Sequence, residues 1–386
     1  MEVYPKAELS ANSGVLRYNQ RHFIAQIYRI VAMTHVSDAL RRLPAEWEPQ
    51  DAVLLTWPHK NTDWNWILED VVALYEAVAT VIADFADVII AAPADAIDSI
   101  RENLIAMEAP IDYIYFYPCE SNDTWARDHG PISVQSGETF TLLDFKFNAW
   151  GGKFAYELDD KLTAQLHAQG AFPRAKLEAQ DWVLEGGAIE SDGKGTLMTT
   201  SACLLNANRN PDLTKDQIEA RLKTAFGVRK INWVNHGYLE GDDTDSHIDT
   251  LARLCPNNVI VYTACDDETD AHYAALKRME DELKTFTNAD GEAYTLMPLP
   301  WPGPVLNDDD ERLPATYANF LIVNEAVLVP IYGLPSDEDA LEVIMQAFPG
   351  FEIMGIPCNS LIEQGGSLHC ITMQLPEGVL EPAYEL

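Results

Sequence analysis

An α/β domain built from repeated supersecondary units is the fold class this sequence predicts, and three observations predict it. Short apolar runs of strand character recur from Asp51 onward. Helix-like stretches with a period of about 3.6 residues lie between many of them. The order strand, strand, helix, strand returns about every 60 to 75 residues, the spacing of repeated units rather than of two hinged domains.

Residues 1–38 stand apart: they carry four basic and three acidic side chains where the remainder is heavily acidic. Met33-Thr34-His35 could be an alternative start, and the segment reads either as an extension outside the core fold or as a helix packed on the body. Residues 39–386 read as one domain, because no Ser/Gly-rich linker interrupts them.

Within that domain, Val/Ile/Tyr-rich runs closing on Gly or Pro predict strands. They span 51–57, 87–92, 112–117, 140–147, 181–189, 195–200, 258–264, 320–329, 351–356 and 368–373. Helices are expected over 64–85, 159–167, 214–226, 270–286 and 336–348. Ser336-Asp337-Glu338-Asp339 has the Ser-x-x-acid pattern of a capping box, and Thr214-Lys215-Asp216-Gln217 resembles one.

Composition narrows the function. A hydrophobic share of 47% with 23% charged residues over 386 positions is globular, so disorder and collagen-like readings drop out. Against 61 Asp+Glu stand only 26 Lys+Arg, a formal charge of -35. No basic stripe is available to neutralise phosphates, which disfavours nucleic-acid and anionic-membrane partners. The same field draws small cations inward, although acidity also serves plain solubility. The six cysteines never form a Cys-x-x-Cys pair, so neither a zinc ribbon nor a thioredoxin-type site is indicated. With no long apolar run, the chain is read as cytoplasmic with reduced thiols.

Chemistry-bearing residues gather where strands end. His247 and Asp249, two apart, would share one face of an extended strand and form a usable base–carboxylate pair, a pair of metal ligands or a surface hydrogen bond. Cys370 adjoins His369, but on a strand the two side chains would point to opposite faces. His247 is then the better base for a nucleophilic Cys370. Gly365 and Gly366 just upstream, like Gly186 and Gly187 after Glu185, allow backbone to approach a ligand closely. The other five cysteines read as core. Asp128 and Glu185 complete a set of one thiol, one imidazole and three carboxylates. Together with Trp125 these suit a planar cation, held edge-on by carboxylates and covered by an indole.

At these residues the sequence resembles the agmatine deiminase family, relatives of bacterial peptidyl-arginine deiminase among the guanidino-group-modifying enzymes. The resemblance rests on Leu43 to Pro49 with Thr56-Trp57-Pro58-His59, on Trp125-Ala126-Arg127-Asp128-His129-Gly130-Pro131, and on Asn148-Ala149-Trp150-Gly151-Gly152. It continues through Leu184-Glu185-Gly186-Gly187, Leu204 to Pro211, His247 to Arg253, Tyr317-Ala318-Asn319-Phe320 and Gly365 to Thr372. These segments run in order over nearly the whole chain.

The resemblance implies a five-bladed, pseudo-symmetric α/β propeller of ββαβ units, the pentein fold, with a central catalytic site. It implies Cys370 as nucleophile, His247 as general acid/base, Glu185 as its carboxylate partner, and Asp128 with Asp249 holding the guanidinium. Trp125, Gly365 and Gly366 join Asp128 and Asp249 as substrate-binding candidates. The expected reaction is deimination of agmatine to N-carbamoylputrescine and ammonia, without metal or organic cofactor. The expected partner is a small cationic guanidine, with a homo-oligomer left open. Peptidyl or free arginine is the alternative substrate. A metal-dependent hydrolase using His247 and Asp249, and a non-catalytic polyamine binder, are rivals of other classes. Two loops bear on the substrate tail: the short passage from Gly152 to Glu157-Leu158-Asp159-Asp160, and Asp242-Asp243-Thr244-Asp245 before His247. The latter could receive an amine, while Arg127 and Arg253, beside Asp128 and near Asp249, are expected to be spent on positioning those carboxylates.

Overall fold

Antiparallel pairing followed by a helical crossover into a parallel strand is the unit from which this chain is built. The computed structural model describes residues 41–380, so the expected extension over residues 1–38 lies outside the described residues. β1 (Gln50–Thr56) leads through α1 (Leu68–Ala83) to parallel β2 (Asp87–Ala92), then through α2 (Ile97–Ala106) to parallel β3 (Ile114–Pro118). β4 (Ile132–Ser136) and β5 (Thr139–Lys146) pair antiparallel before α3 (Leu162–Ala168) crosses to β6 (Lys176–Val183). The same order joins β7 (Ile189–Ser191), β8 (Thr196–Thr200), α4 (Lys215–Phe226) and β9 (Lys230–Val234). It recurs in β10 (Ala252–Cys255), β11 (Val259–Thr263), α5 (Tyr273–Leu283) and β12 (Thr295–Leu299).

A small hairpin, β13 (Val305–Leu306) with β14 (Arg312–Leu313), precedes the next unit. That unit comprises β15 (Leu321–Val323), β16 (Ala326–Ile331), α6 (Asp337–Ala347) and β17 (Glu352–Pro357). The last strand, β18 (Thr372–Pro376), supplies the antiparallel partner of β1, so five sheets share one strand pattern.

Crossover helices explain why the strands look as they do. A strand covered by a helix on one face and by neighbouring sheets on the other reads as a continuous apolar run, as β2 does after Asp87 and β16 from Ala326 to Pro330. In α1 the buried positions Val71, Leu74, Tyr75, Val78 and Ile82 fall on one helical face. Each fully buried aliphatic side chain of this kind contributes about 1.5–3 kcal/mol.

The structure departs from the sequence expectations at several places. The run 320–329 is a hairpin, not one strand: Asn324 takes a left-handed φ of 47°, and its side chain ties to Gln50 and Phe85. The run 181–189 is likewise broken, by a turn over Gly186–Ala188. At the third, 368–373, the strand begins only at Thr372. The Thr214 capping box forms with Gln217. Ser336 makes no such cap; Asp337 instead accepts the backbone N–H groups of Tyr332, Gly333 and Leu334.

Candidate active site

Four turns carry the candidate residues. The helical turn Ala126–His129 carries Asp128, and the turn Gly186–Ala188 follows Glu185. His247 and Asp249 flank Ile248 at a short turn before β10, and His369 with Cys370 sits in the loop before β18. Their convergence is measured by Gly187. A Cβ there would stand 2.6 Å from His247 Nδ1, 2.9 Å from Asp128 Oδ1 and 3.0 Å from Asp249 Oδ2. Only glycine leaves that point open.

Contacts within the cluster are close. Asp128 accepts Trp150 Nε1 at 2.9 Å and the Gly187 N–H at 3.0 Å, and its Oδ1 lies 3.6 Å from His247 Nδ1. Cys370 Sγ lies 3.8 Å from Asp249 Oδ2. Asp128, Glu185, His247, Asp249 and Cys370 are all buried.

Two sequence arguments need correction. His247 and Asp249 do converge, but through a helical turn rather than a strand, so the alternation of strand side chains is not the reason. The same premise fails for His369 and Cys370: neither is in a strand, and both reach Asp249 Oδ2, His369 Nδ1 at 2.7 Å. His369 is nonetheless fully engaged, since its Nε2 meets Glu46 at 2.9 Å and Arg253 at 3.1 Å.

Other partners were not anticipated. Glu185 accepts Arg209 Nε at 2.6 Å, whereas the carboxylate in ion-pair range of His247 is Asp128. Cys203, read as inert core, is buried, but its sulfur lies within 4.8 Å of a His247 ring nitrogen. Arg127 and Arg253, expected beside Asp128 and Asp249, both bind Glu46 instead, at 3.1 and 2.7 Å. Trp150, Arg209 and Glu46 all belong to the motif segments, but nothing in the one-dimensional pattern says whom they meet.

Glycines explain the remaining turns. A Cβ on Gly366 would strike the Trp125 indole at 2.2 Å, so this glycine lets the loop before Cys370 press against that ring. Trp150 sits at a φ of 53°, with Gly151 at 100° and Asn148 capping the Gly151 N–H, a left-handed turn that carries the indole to Asp128.

Electrostatics divide the two guanidinium candidates. Burial, reinforced by Asp249 and Glu185 against the pull of His247, pushes Asp128 up to about 6. Burial acts the same way on Asp249, but the hydrogen bond from His369 overcomes it and holds that carboxyl below its ordinary range. Burial, then Asp249 and Asp128, raise the Cys370 thiol well above its usual value. His247 is raised well above its own despite burial, chiefly by Asp128 and Cys203. Without a bound cation, then, the site favours thiol over thiolate.

Two groups of side chains have metal-ligand geometry: Glu185 with Cys203 and His247, and Glu46 with Glu190 and His369. Each already holds a guanidinium, Arg209 on Glu185 and Arg253 on Glu46 and Glu190, whose charge opposes a metal cation.

Trp125 and Trp150 also line a cavity of about 350 Å³. Its walls carry four carboxylates, Asp63, Asp123, Asp243 and Glu363, with Trp66 and Phe154, and no Lys or Arg among the described residues. Of the acidic loop before His247, only Asp243 faces this cavity. Asp242 accepts the Thr244 and Ser246 N–H groups, and Asp245 pairs with Lys153 and Arg209. The short passage after Gly152 contributes Phe154, while Asp159 accepts the N–H groups of Asn122 and Asp123.

A family profile described as Porphyromonas-type peptidyl-arginine deiminase matches residues 42–376. The chain belongs to that family. A Shewanella sp. (strain MR-7) member named "Putative agmatine deiminase" is 35% identical over 358 residues, covering 87% of this chain and 94% of that one. A crystal structure from Porphyromonas gingivalis named a "Putative Arginine Deiminase" is 44% identical with a TM-score of 0.82, covering 88% of this chain and 100% of that one. C. jejuni agmatine deiminase, solved with substrate bound as a cysteine-to-serine variant, is 38% identical with a TM-score of 0.82, covering 90% of this chain and 99% of that one. The α/β fold is thus that of the deiminase family, whose named members act on guanidino compounds. No described helix is long and apolar enough to cross a membrane.

Proposed function

We propose that this chain hydrolyses agmatine to N-carbamoylputrescine and ammonia through a covalent adduct on Cys370, its five ββαβ units arranged as the blades of a propeller around the site. One observation carries the reading: an imidazole and two carboxylates converge on the point that Gly187 leaves open, a thiol lies 3.8 Å from one of those carboxylates, and the acidic, aromatic cavity beside them has no Lys or Arg among the described residues that line it. The C. jejuni relative solved with substrate bound has serine for a cysteine, which fits a cysteine that would otherwise consume the substrate.

Asp128 and Asp249 hold the guanidinium, whose charge lowers the cost of ionising Cys370 beside them. Once the thiol proton has passed to solvent, sulfur attacks the guanidinium carbon and a C–N π pair moves onto nitrogen. His247, as imidazolium, protonates the departing nitrogen, the C–N bond breaks and ammonia leaves an S-alkylthiouronium. His247, now neutral, takes a proton from water as its oxygen attacks the same carbon; the C–S bond then breaks, the hydroxyl becomes the carbonyl of the product, and its proton passes to the departing sulfur to restore the thiol. Glu185, held by Arg209, supplies negative charge on the His247 side of the site.

Acid quench during turnover of agmatine should trap an adduct on Cys370 with the mass of substrate less ammonia, and ammonia release should persist in EDTA. Only unmodified protein over a range of quench times would count against the covalent route. The acid side of the pH profile is a second expectation. Asp128 is anionic above about 6 and takes a proton below it. Accordingly kcat/KM should fall by up to about tenfold per pH unit on that side. A profile flat down to about pH 5 would contradict the role of Asp128.

Free or peptidyl arginine is the second reading, favoured by the name of the P. gingivalis relative. The charge of the cavity opposes it.

A further inference from the structure

We propose that His369 is a positioning residue for the reaction: as the neutral tautomer carrying its proton on Nδ1, it tethers Asp249 Oδ2, the oxygen that faces the Gly187 opening, and so holds the carboxylate where the guanidinium binds. The proposal rests on Asp249 binding that group.

Three observations converge on it. His369 Nδ1 lies 2.7 Å from Asp249 Oδ2, and both side chains are fully buried. The tethered Oδ2 is also the oxygen nearest the Gly187 opening and Cys370, while Asp249 Oδ1 is buried without a hydrogen-bond partner among the described residues, so the tether to His369 is what orients this carboxylate. On the far side of the ring, Nε2 lies 3.1 Å from Arg253 Nη2. The Asp249 carboxylate only accepts, so the ring carries a proton on Nδ1, and the Arg253 donor favours a free lone pair on Nε2.

Arg253 cannot swing away. Its Nη1 donates to the carbonyls of Ala318 and Phe320 at 3.0 and 2.7 Å, its Nε to Glu190 and its Nη2 to Glu46 at 2.7 Å. The backbone of His369 is fixed as well, its N–H donating to Asn319 Oδ1 at 3.0 Å. Glu46 Oε1, 2.9 Å from Nε2, would accept a proton from a charged ring, but Glu46 is already met by Arg253, Arg127 and Gln374. Burial and the two arginines lower the affinity of His369 for a second proton. The chain Arg253, His369, Asp249 therefore fixes the carboxylate against which Cys370 lies. A misplacement of about 1 Å at such a group can cost about a hundredfold in rate.

The variants H369N, H369Q and H369L separate donor from bulk. The asparagine amide can occupy the Nδ1 position and donate to Asp249; glutamine reaches the Nε2 position, and leucine offers no donor. H369N should keep kcat within about tenfold of wild type, while H369Q and H369L lose about a hundredfold or more, mainly in kcat rather than KM. Equal losses in all three variants, or losses that only track the folded fraction, would overturn the proposal. D249N distinguishes the underlying reading. If D249N remains active, Asp249 is not the guanidinium ligand; if D249N is inactive while H369Q and H369L work normally, only the positioning role fails. Nitrogen NMR of ring-labelled histidine in the wild-type protein is independent of whether the variants fold. A neutral Nδ1–H tautomer at His369 is expected, and an Nε2–H or doubly protonated ring at neutral pH would overturn it.

Discussion

Replacing Cys370 with alanine is expected to abolish turnover of agmatine while the protein stays folded. The thiol lies 3.8 Å from the Asp249 carboxylate, and the covalent route ends with it. Loss of that route should cost at least about 10³-fold in kcat, or about 4 kcal/mol of barrier. Stability should change little, because the substitution removes one small buried group that lies beside a carboxylate which raises its pKa. The matched control is Cys358→Ala, a buried thiol beside Ser367, for which activity should remain within about tenfold of wild type. Cys203 is not an indifferent control, since its sulfur lies within 4.8 Å of a His247 ring nitrogen. Ammonia release by Cys370→Ala within tenfold of wild type, with an unchanged unfolding midpoint in both variants, would remove Cys370 from the mechanism.

How much of this was legible beforehand depended on whether a residue announces its partner locally. β2 and α4 were readable because an unbroken Val/Ile run and a Thr-x-x-Gln cap are local signals. β4, β10 and β12 were not: each is short, and β10 places buried Arg253 where a strand pattern would want an apolar side chain. The tight hairpin at Asn324 was hidden by apolar residues on both sides, which merged two strands into one run. In the site, the reactive residue types and their Gly-Gly neighbours were visible, but their pairings were not. His369 meets Glu46 from 323 positions away, and Asp249 from 120. A sequence read by spacing carries no trace of such contacts, so the strand rule was applied to turns and the arginines were matched to the carboxylates beside them in sequence.

Agmatine should be preferred to free arginine by more than a hundredfold in kcat/KM. The two substrates differ by one α-carboxylate, and the cavity adjoining the cluster offers that carboxylate no positive partner among the described residues. Its walls carry Asp63, Asp123, Asp243 and Glu363. The basic groups nearby are engaged elsewhere: Arg209 on Glu185 and Asp245, Arg253 on Glu190 and Glu46, and Lys153 on Asp245. A primary ammonium in the same place meets carboxylates and aromatic faces, both of which attract it, beside the Gln364 amide. An unpaired carboxylate brought into these surroundings should cost about 3 kcal/mol, which is the stated discrimination. Asp243 is the member of the acidic loop that faces the cavity, and burial, then Asp242, push it up to about 6. Asp243→Asn should therefore weaken agmatine turnover at neutral pH, leave arginine nearly unchanged and narrow the ratio by about tenfold. Values of kcat/KM for agmatine and arginine within about tenfold of each other would overturn the assignment of the tail while leaving the chemistry at Cys370 intact.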